Sequence, residues 1–333
     1  MPGVTVETVA PAWSAVLGEH VQALAWDGRG DRLAAAPVTG PIAVFNAAGA
    51  QLLELDGHGA GTCAVAWSPV ADLLASGGQD RGLRVVRGDG TPAFSERFER
   101  GWVEHLAWSP DGRWLAASAG RLVRIYDPEG RLRAECGPHP ATVAGLAWAP
   151  RGDCLATIAY GGLWLWWPER VEDRRAYAWK GSPVALAWSA DARFVAVGLQ
   201  DDAVHVWRAS NGQDWHMHGY AAKVRELAWD PRRPVFATGG GPDLALWDLS
   251  GSGPDGKRPT LLVGHPARVT ALVAGPRPQE WASAGSDGLL LRWRNGRAVR
   301  SARFASSIAA LTWRPGTDAV AVGCADGEVA VVA

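Results

Sequence analysis

The sequence predicts an all-β fold built from eight repeated units of four short strands, and three observations support this prediction. A phrase of hydrophobic residues that ends in Ala-Trp and a turn returns with a period of about 40 residues. Each period contains short apolar stretches separated by turn-forming residues. The chain also begins with a spare strand and stops one strand short of a full unit. The eight phrases end at Trp26, Trp67, Trp108, Trp148, Trp188, Trp229, Ala274 (a degenerate copy) and Trp313.

The repeat at residues 265–304 shows the order of the elements within one unit. Its apolar stretches have strand composition, and its turns are rich in Gly, Pro, Asp and Asn. One such antiparallel sheet cannot bury both of its faces, whereas radial repetition of sheets packed face to face can. We therefore expect an eight-bladed β-propeller of four-stranded antiparallel blades. The predicted strands of this repeat are 268–273, 280–285, 289–293 and 297–304, with turns at 275–278, 286–288 and 295–296.

The two ends of the chain predict how the propeller closes. The eighth unit ends after its third strand, and a strand-like segment from Ala12 to Leu17 precedes the first unit. Because these deficits match, we expect this N-terminal strand to pair with the three C-terminal strands. We expect a single domain over residues 1–333. Its repeats are predicted at roughly 19–58, 59–101, 102–139, 140–181, 182–220, 221–265, 266–305 and 306–333, the last completed by 10–18.

The repeated motifs resemble those of the WD-repeat β-propeller family. Gly57-His58 precedes a first strand, Ser109-Pro110-Asp111-Gly112 forms a turn, and a third strand ends in Trp247-Asp248. Leu74-Ala-Ser-Gly-Gly-Gln-Asp80 matches the second strand of that family and the turn after it. The resemblance covers essentially the whole chain, because the motifs recur in phase. It implies a rigid binding platform without catalytic activity.

The same resemblance implies a structural hydrogen-bond network of His, Ser or Thr, Asp and Trp within a unit. Most units lack at least one member, and in the second unit Val86 stands where Trp belongs. A buried polar network stabilises a fold fully only when it is complete, so we expect the other units to depend on apolar packing. The complete set occurs in the seventh unit and consists of His265, Ser283, Asp287 and Trp293.

Composition argues against several classes of function. The formal net charge is −1 and the isoelectric point about 6.7, so the basic field of a general nucleic-acid binder is missing. The four cysteines lie in four different repeats without C-x-x-C spacing, which predicts neither a zinc site nor a disulfide framework. No apolar run approaches the roughly 18–20 residues of a membrane span. We expect a cytoplasmic monomer with no cofactor and no membrane association.

One histidine pair is the strongest candidate for a metal site. His216 and His218 alternate along a predicted strand, so both side chains could reach one ion. No third ligand is visible, and the competing interpretation is that they end a solvent-facing fourth strand; we therefore predict no metal. No phosphate-loop, nucleophile-elbow or zinc-protease motif occurs, and we expect no catalysis.

The predicted strand order places the fourth-to-first and second-to-third connections on one rim. Residues that depart from the repeat there are candidates for binding a protein partner, because Trp, Tyr and Arg are enriched at interaction hot spots. Trp102, for example, stands where Gly-His would be expected. The competing interpretation of each is an ordinary exposed loop residue, which the sequence slightly favours for any one of them taken alone. The candidates are Trp102, Arg121, Tyr160, Gln200, Tyr220, Lys223, Arg225 and Arg268.

These observations lead to one functional prediction and one alternative. We expect a non-catalytic scaffold or adaptor that presents one propeller rim to a protein partner of unknown identity. The alternative is a propeller that handles a small molecule or metal with its axial channel and rim histidines. Propellers host both functions, so the fold alone does not decide between them.

Overall fold

The structure, a computed structural model, describes residues 6–251 and 253–333. Its thirty-three strands form eight sheets, seven of four strands and one of five. The helical content of the described residues is one 3₁₀ turn at Val171–Asp173. Two compact units are present: one is Gln22–Leu186, and the other is Ala187–Ala333 with the N-terminal segment up to Val21. We number the sheets one to eight in the chain order of their first strands.

The unit of residues 22–186 contains sheets one to four, each an antiparallel meander. Its second strands are buried along almost their full length, because both faces of these sheets are covered. The fourth strands mix exposed residues with half-buried or buried ones, as the outer strand of a sheet should. The strands are β3 (Val21–Trp26), β4 (Arg32–Pro37), β5 (Ile42–Asn46), β6 (Gln51–Leu55), β7 (Thr62–Trp67), β8 (Leu73–Gly78), β9 (Gly82–Arg87), β10 (Pro92–Arg97), β11 (Val103–Trp108), β12 (Leu115–Ala119), β13 (Leu122–Tyr126), β14 (Leu132–Cys136), β15 (Val143–Trp148), β16 (Leu155–Ala159), β17 (Gly161–Trp166) and β18 (Arg175–Trp179).

The other unit contains sheets five to eight, and the boundary between the units falls within β19. Sheet six has an unusually short first strand, because residues 224–226 leave the ladder before it. The strands are β1 (Glu7–Thr8), β2 (Trp13–Val16), β19 (Pro183–Trp188), β20 (Phe194–Leu199), β21 (Ala203–Arg208), β22 (Asp214–His218), β23 (Leu227–Trp229), β24 (Val235–Thr238), β25 (Leu244–Asp248), β26 (Thr260–Leu262), β27 (Val269–Ala274), β28 (Glu280–Gly285), β29 (Leu289–Arg294), β30 (Arg297–Arg303), β31 (Ile308–Trp313), β32 (Val320–Cys324) and β33 (Glu328–Val332).

The N-terminal strand completes sheet eight, as the sequence predicts. β2 lies antiparallel to β33, with Trp13 opposite Val331 and Val16 opposite Glu328. The sequence did not predict a second addition, in which β1 pairs in parallel with β30 and makes sheet seven five-stranded. A two-residue strand carries no periodic signal, so only the structure shows it.

The recurring Ala-Trp phrase links neighbouring sheets through one repeated hydrogen bond. The indole Nε1–H of Trp148 donates to the carbonyl oxygen of Ala107 in the preceding sheet, at 2.9 Å. Trp108 donates in the same way to Ala66 at 3.2 Å. In the other unit, Trp229 donates to the corresponding Ala187 at 2.9 Å. Each acceptor is the Ala directly before the Trp of the preceding phrase. One phrase can therefore donate to the sheet before it and accept from the sheet after it, as Trp108 and Ala107 do.

In sheet seven, a tryptophan on the second strand replaces the missing tryptophan of the degenerate phrase. Ala274 replaces the phrase Trp, and it pairs across the sheet with Trp281, whose side chain is fully buried. Trp281 packs in the same cluster as Ala228 of sheet six, so an indole still fills this inter-sheet space. Trp313 of the next sheet donates instead to the Thr317 carbonyl in its own turn, at 3.0 Å.

Deleting residues 1–18 should destabilise the protein, because β33 loses its outer partner and exposes an unpaired edge. We expect the melting temperature to fall by about 5 °C or more, as a loss of roughly 2 kcal/mol in a protein of this size implies. Differential scanning calorimetry measures this. A synthetic peptide of residues 10–18 should restore part of the loss, and a scrambled peptide should not. An unchanged melting temperature would show that β2 is dispensable.

Candidate interaction surfaces

The predicted network of sheet seven forms around one serine hydroxyl. Ser283 Oγ lies 2.7 Å from His265 Nε2 and accepts a hydrogen bond from Trp293 Nε1 at 2.8 Å. Asp287 Oδ1 accepts the backbone N–H of Leu289 at 3.3 Å. Across the described residues, no hydrogen bond joins Asp287 to His265. Burial lowers the pKa of His265, which keeps the imidazole neutral.

Sheet four contains an equivalent network that the sequence analysis missed. Thr157 Oγ1 lies 2.8 Å from His139 Nε2 and accepts a hydrogen bond from Trp166 Nε1 at 2.8 Å. His139 Nδ1 lies 3.0 Å from the carbonyl oxygen of Arg121, which takes the place of the Asp. A search for four side chains cannot find it, since one of the four groups here is backbone.

In sheet six a tyrosine replaces the histidine. The Tyr220 hydroxyl accepts a hydrogen bond from Trp247 Nε1 at 2.7 Å and lies 3.0 Å from Thr238 Oγ1. Burial raises the pKa of Tyr220 to about 12, so the phenol stays protonated. Tyr220 is one of the predicted partner-binding residues, but its polar atom is committed to the interior. We therefore assign it to the scaffold.

Sheet two has the histidine, serine and aspartate but lacks the indole. His58 lies between Asp80 Oδ1 at 2.7 Å (through Nδ1) and Ser76 Oγ at 3.1 Å (through Nε2). Burial lowers the pKa of His58 and outweighs the opposing influence of Asp80. Arg84 closes the group by donating to Asp80 Oδ2 at 3.0 Å and to the Gly57 carbonyl at 2.8 Å.

The other predicted partner-binding residues lie on the connections that precede a first strand or follow a second strand. We call the sheet edge formed by these connections the top edge. Trp102, Lys223 and Arg268 each come directly before the Val that begins a first strand or its phrase. In the sheets with a hydrogen-bond network, the histidine or tyrosine lies four positions before this Val or its equivalent. In sheet three, that position is Glu99. Trp102 therefore does not occupy the histidine position suggested by the sequence.

Trp102 is the large aromatic residue most clearly presented by the top edge of sheet three. Its side chain is 50% exposed, whereas the first-strand indole of the same sheet, Trp108, is 8% exposed. A Cβ placed on Gly101 would lie 2.3 Å from the backbone nitrogen of Gly120, so the two connections touch backbone to backbone. This contact fixes the base from which Trp102 projects.

Arg121 and Tyr160 follow the second strands of sheets three and four. Arg121 Nε donates to the carbonyl oxygen of His139, so its guanidinium is held against the backbone. Tyr160 lies between β16 and β17 and is 56% exposed. The unit of residues 22–186 thus presents two exposed aromatic side chains, Trp102 and Tyr160, on its top edges.

In the other unit the top-edge candidates are mainly cationic. Arg225 and Arg268 lie beside Glu226, whose carboxylate is buried, and Lys223 precedes them on the same connection as Arg225. An Arg268 guanidinium nitrogen, NH2, lies 3.9 Å from Glu226 Oε1 and 3.5 Å from the Lys223 carbonyl oxygen. Burial raises the pKa of Glu226, and the charge of Arg268 opposes that shift. Gln200 is exposed after β20, and no contact links it to this group in the described part of the chain.

The histidine pair joins a third histidine. The rings of His216 and His218 are 3.8 Å apart, and His205 lies 5.3 Å from His216. His205 stacks on Trp207 at 3.8 Å and makes a 2.6 Å contact to Asp214 Oδ2. Burial lowers the pKa of His205 to about 4.

One cluster has potential ligands close enough for a metal ion. Cys324, Asp326 and Glu328 place their ligating atoms within 4.8 Å of one another, the one such group of three in the described ranges. Burial raises the pKa of Cys324 to about 12, which opposes formation of the thiolate that a metal requires. In the described residues, no helix has the length and apolarity to cross a bilayer.

Comparisons with known proteins agree with this architecture. Residues 65–132 match the family described as the anaphase-promoting complex subunit 4 WD40 domain. WD repeat-containing protein slp1 of Schizosaccharomyces pombe is 29% identical over 199 residues, which cover 56% of this chain and 39% of that protein. The C-terminal WD40 domain of Sif2 superposes with a TM-score of 0.81 at 14% identity, covering 99% of both chains.

The chain is similar to WD-repeat β-propellers, and its eight sheets agree with that fold. Two further matches extend over parts of longer proteins. Cell division cycle 20.1, cofactor of APC complex, of Arabidopsis thaliana is 30% identical over 157 residues, covering 43% of this chain and 34% of that protein. Rat telomerase protein component 1 is 24% identical over 277 residues, covering 78% of this chain and 10% of that protein. The propeller thus spans between a tenth and two fifths of these curated relatives.

The buried histidines of this protein predict loss of stability in acid. The pKa values of His105 and His205 are lowered to about 4 by burial, against about 6.5 in an unfolded chain. Their contribution to stability is complete above pH 6.5 and is lost as the pH falls towards 4. We expect His205→Phe to reduce the difference in unfolding free energy between pH 7 and pH 4.5 by about 2 kcal/mol.

Urea unfolding at the two pH values measures this difference. Val263→Phe, a change at an exposed residue that does not titrate, is the control and should respond to pH like the wild type. A His205→Phe variant with the full wild-type pH response would contradict the assignment of His205 as a buried neutral group.

Proposed function

We propose that the protein is a non-catalytic adaptor that binds a partner protein through the top edges of its blades. The observation that carries the proposal is the exposure of Trp102 on a loop fixed by the contact between Gly101 and Gly120. Burying a large aromatic ring against a partner removes much apolar surface from water at a small entropic cost. A fixed loop lowers that cost further, because little chain order is lost on binding.

Two chemically different groups on the top edges define what each unit would contact. In the unit of residues 22–186, Trp102 and Tyr160 offer aromatic surface. In the other unit, the cations around Glu226 leave a net positive charge, which favours a partner with carboxylate side chains. The guanidinium of Arg268 also faces the buried carboxylate of Glu226, so removing it would take away the ion-pair partner of that group.

The similar proteins support an adaptor role. One is named as a cofactor of the APC complex, and the matching family is a domain of an anaphase-promoting complex subunit. This chain matches only part of each of the longer curated proteins. We infer that this chain likewise acts by joining other proteins, in the cytoplasm and as a monomer. We further infer that it catalyses no reaction.

Trp102→Ala should weaken partner binding at least tenfold, because hot-spot aromatics contribute about 2 kcal/mol or more to an interface. The measurement is affinity purification of the tagged protein from its native cells, with quantitative mass spectrometry of the recovered partners. The same partners are then titrated against the purified variant.

Val70→Ala provides the control, since Val70 is exposed on the turn between β7 and β8, at the other edge of a sheet. It should retain every partner that the wild type recovers. Both variants should melt within about 2 °C of the wild type, because both side chains are at least half exposed. Equal recovery with Trp102→Ala and wild type would contradict the proposal.

A further inference from the structure

A cavity of about 940 Å³ opens between sheets one and two. Its walls include Ser76, Arg84 and Val86 of sheet two, and Leu55 of sheet one. Phe94 on the outer strand of sheet two forms another part of the wall. This site is separate from the top-edge residues of the proposed function, so the inference does not depend on that function.

The cavity lies beside Val86 on the third strand of sheet two. The side chain at this position does not fill the space towards sheet one, whereas its counterparts in the other sheets are buried. Val86 pairs with Leu74, the register that Trp166 and Trp293 occupy in their own sheets. Val86 is half-buried, although its counterparts in the other seven sheets are all buried. Those counterparts are Phe45, Tyr126, Trp166, Trp207, Trp247, Trp293 and Val332.

Sheet eight shows that a valine at this register need not leave a cavity. Val332 is 1% exposed, and the N-terminal residue Val9 packs against its cluster. Another segment of the chain therefore covers the position that an indole fills elsewhere. In the described part of sheet two, no such segment covers Val86.

The polar wall of the cavity carries half of a hydrogen-bond arrangement that is complete elsewhere. In sheets four and seven, the second-strand hydroxyl contacts a histidine on one side and accepts an indole N–H at 2.8 Å on the other. In sheet two, Ser76 Oγ contacts His58 at 3.1 Å, and within the described ranges no indole reaches it. A serine hydroxyl has two acceptor lone pairs, so Ser76 can still accept a hydrogen bond.

We propose that this cavity binds the side chain of a tryptophan supplied by a partner protein, with the indole N–H donating to Ser76 Oγ. The indole takes the place that Trp166 and Trp293 occupy in their sheets. Val86 and Leu55 contact the ring, and Arg84 lies at the polar end of the site.

The dimensions and edges of the site favour a protein segment over a free ring. A volume of 940 Å³ lies near the upper end of the roughly 300–1,000 Å³ range of ligand sites, more than one indole requires. β6 and β10, which flank the cavity, are the terminal strands of their sheets. Each offers backbone groups to an extended segment, in the way that β30 accepts β1.

The test uses a capped pentapeptide that carries fluorotryptophan between alanines, titrated against the full-length protein and followed by fluorine NMR. We expect saturable binding. Methylation of the indole nitrogen should weaken binding about 3- to 10-fold, because it removes one hydrogen-bond donor. A fluorophenylalanine peptide should bind more weakly than the fluorotryptophan peptide, and free fluoroindole at least 3-fold more weakly.

Variants locate the binding. Val86→Trp should abolish peptide binding and raise the melting temperature, because its own indole fills the cavity and bonds to Ser76. In Ser76→Ala, the methylated and unmethylated peptides should bind equally well, which a change merely affecting folding would not produce. Trp102→Ala should bind the peptide like the wild type, so failure here and failure of the top-edge proposal are distinguishable.

Three results would overturn the inference. They are no saturable binding of the fluorotryptophan peptide, equal affinity for the methylated peptide, and unchanged binding by Val86→Trp. Binding of free fluoroindole as tight as that of the peptide would show a small-molecule site in place of a protein-segment site. The ligand series on the wild type decides the outcome even if a variant fails to fold.

Discussion

A hydrogen bond between the indole N–H of one first strand and a backbone carbonyl of the preceding first strand recurs through this protein. Trp108, Trp148 and Trp229 all make it, each to the alanine beside the preceding phrase tryptophan. The bond satisfies a buried donor while the ring fills the space between two sheets. In these three pairs of neighbouring sheets, the bond fixes the distance between the first strands. The connections that precede these first strands on the top edges are anchored at that spacing, because each of them ends on such a strand.

A second constraint is the hydroxyl buried in the second strand. It needs partners on two sides, and the sheets provide them with different groups. Sheet six uses a tyrosine in place of the histidine, and sheet four uses the Arg121 carbonyl in place of the aspartate. Sheet two keeps histidine, aspartate and serine but replaces the indole with Val86. The result there is a cavity with an accepting oxygen in its wall, which is the chemical basis of the proposed tryptophan site.

The architecture was predictable from the sequence for two reasons. The period of the Ala-Trp phrase gives the number of sheets, and the spare strand before Val21 indicates how the last sheet is completed. The remaining features depend on contacts that the one-dimensional pattern does not contain. In sheet seven the first strand has Ala274 where the phrase has Trp, and the indole comes from Trp281 on the paired second strand. Only the cross-strand pairing shows that Trp281 takes the place of the phrase Trp. Tyr220 looked like a surface residue because a phenol is not the expected member of the network. The acceptor at Arg121 is a backbone carbonyl, which every residue has, so the sequence does not indicate it.

The same comparison separates structural tryptophans from those available for binding. Trp148 and Trp102 have the same side chain, but the ring nitrogen of Trp148 has a buried backbone partner and Trp102 is half exposed. The most direct test replaces each with phenylalanine and measures the free energy of unfolding in urea. We expect Trp148→Phe to lower it by about 1–3 kcal/mol, because the Ala107 carbonyl loses its donor. Trp102→Phe should change it by less than about 0.5 kcal/mol. A Trp148→Phe protein as stable as the wild type would contradict the claim that this bond holds neighbouring blades together.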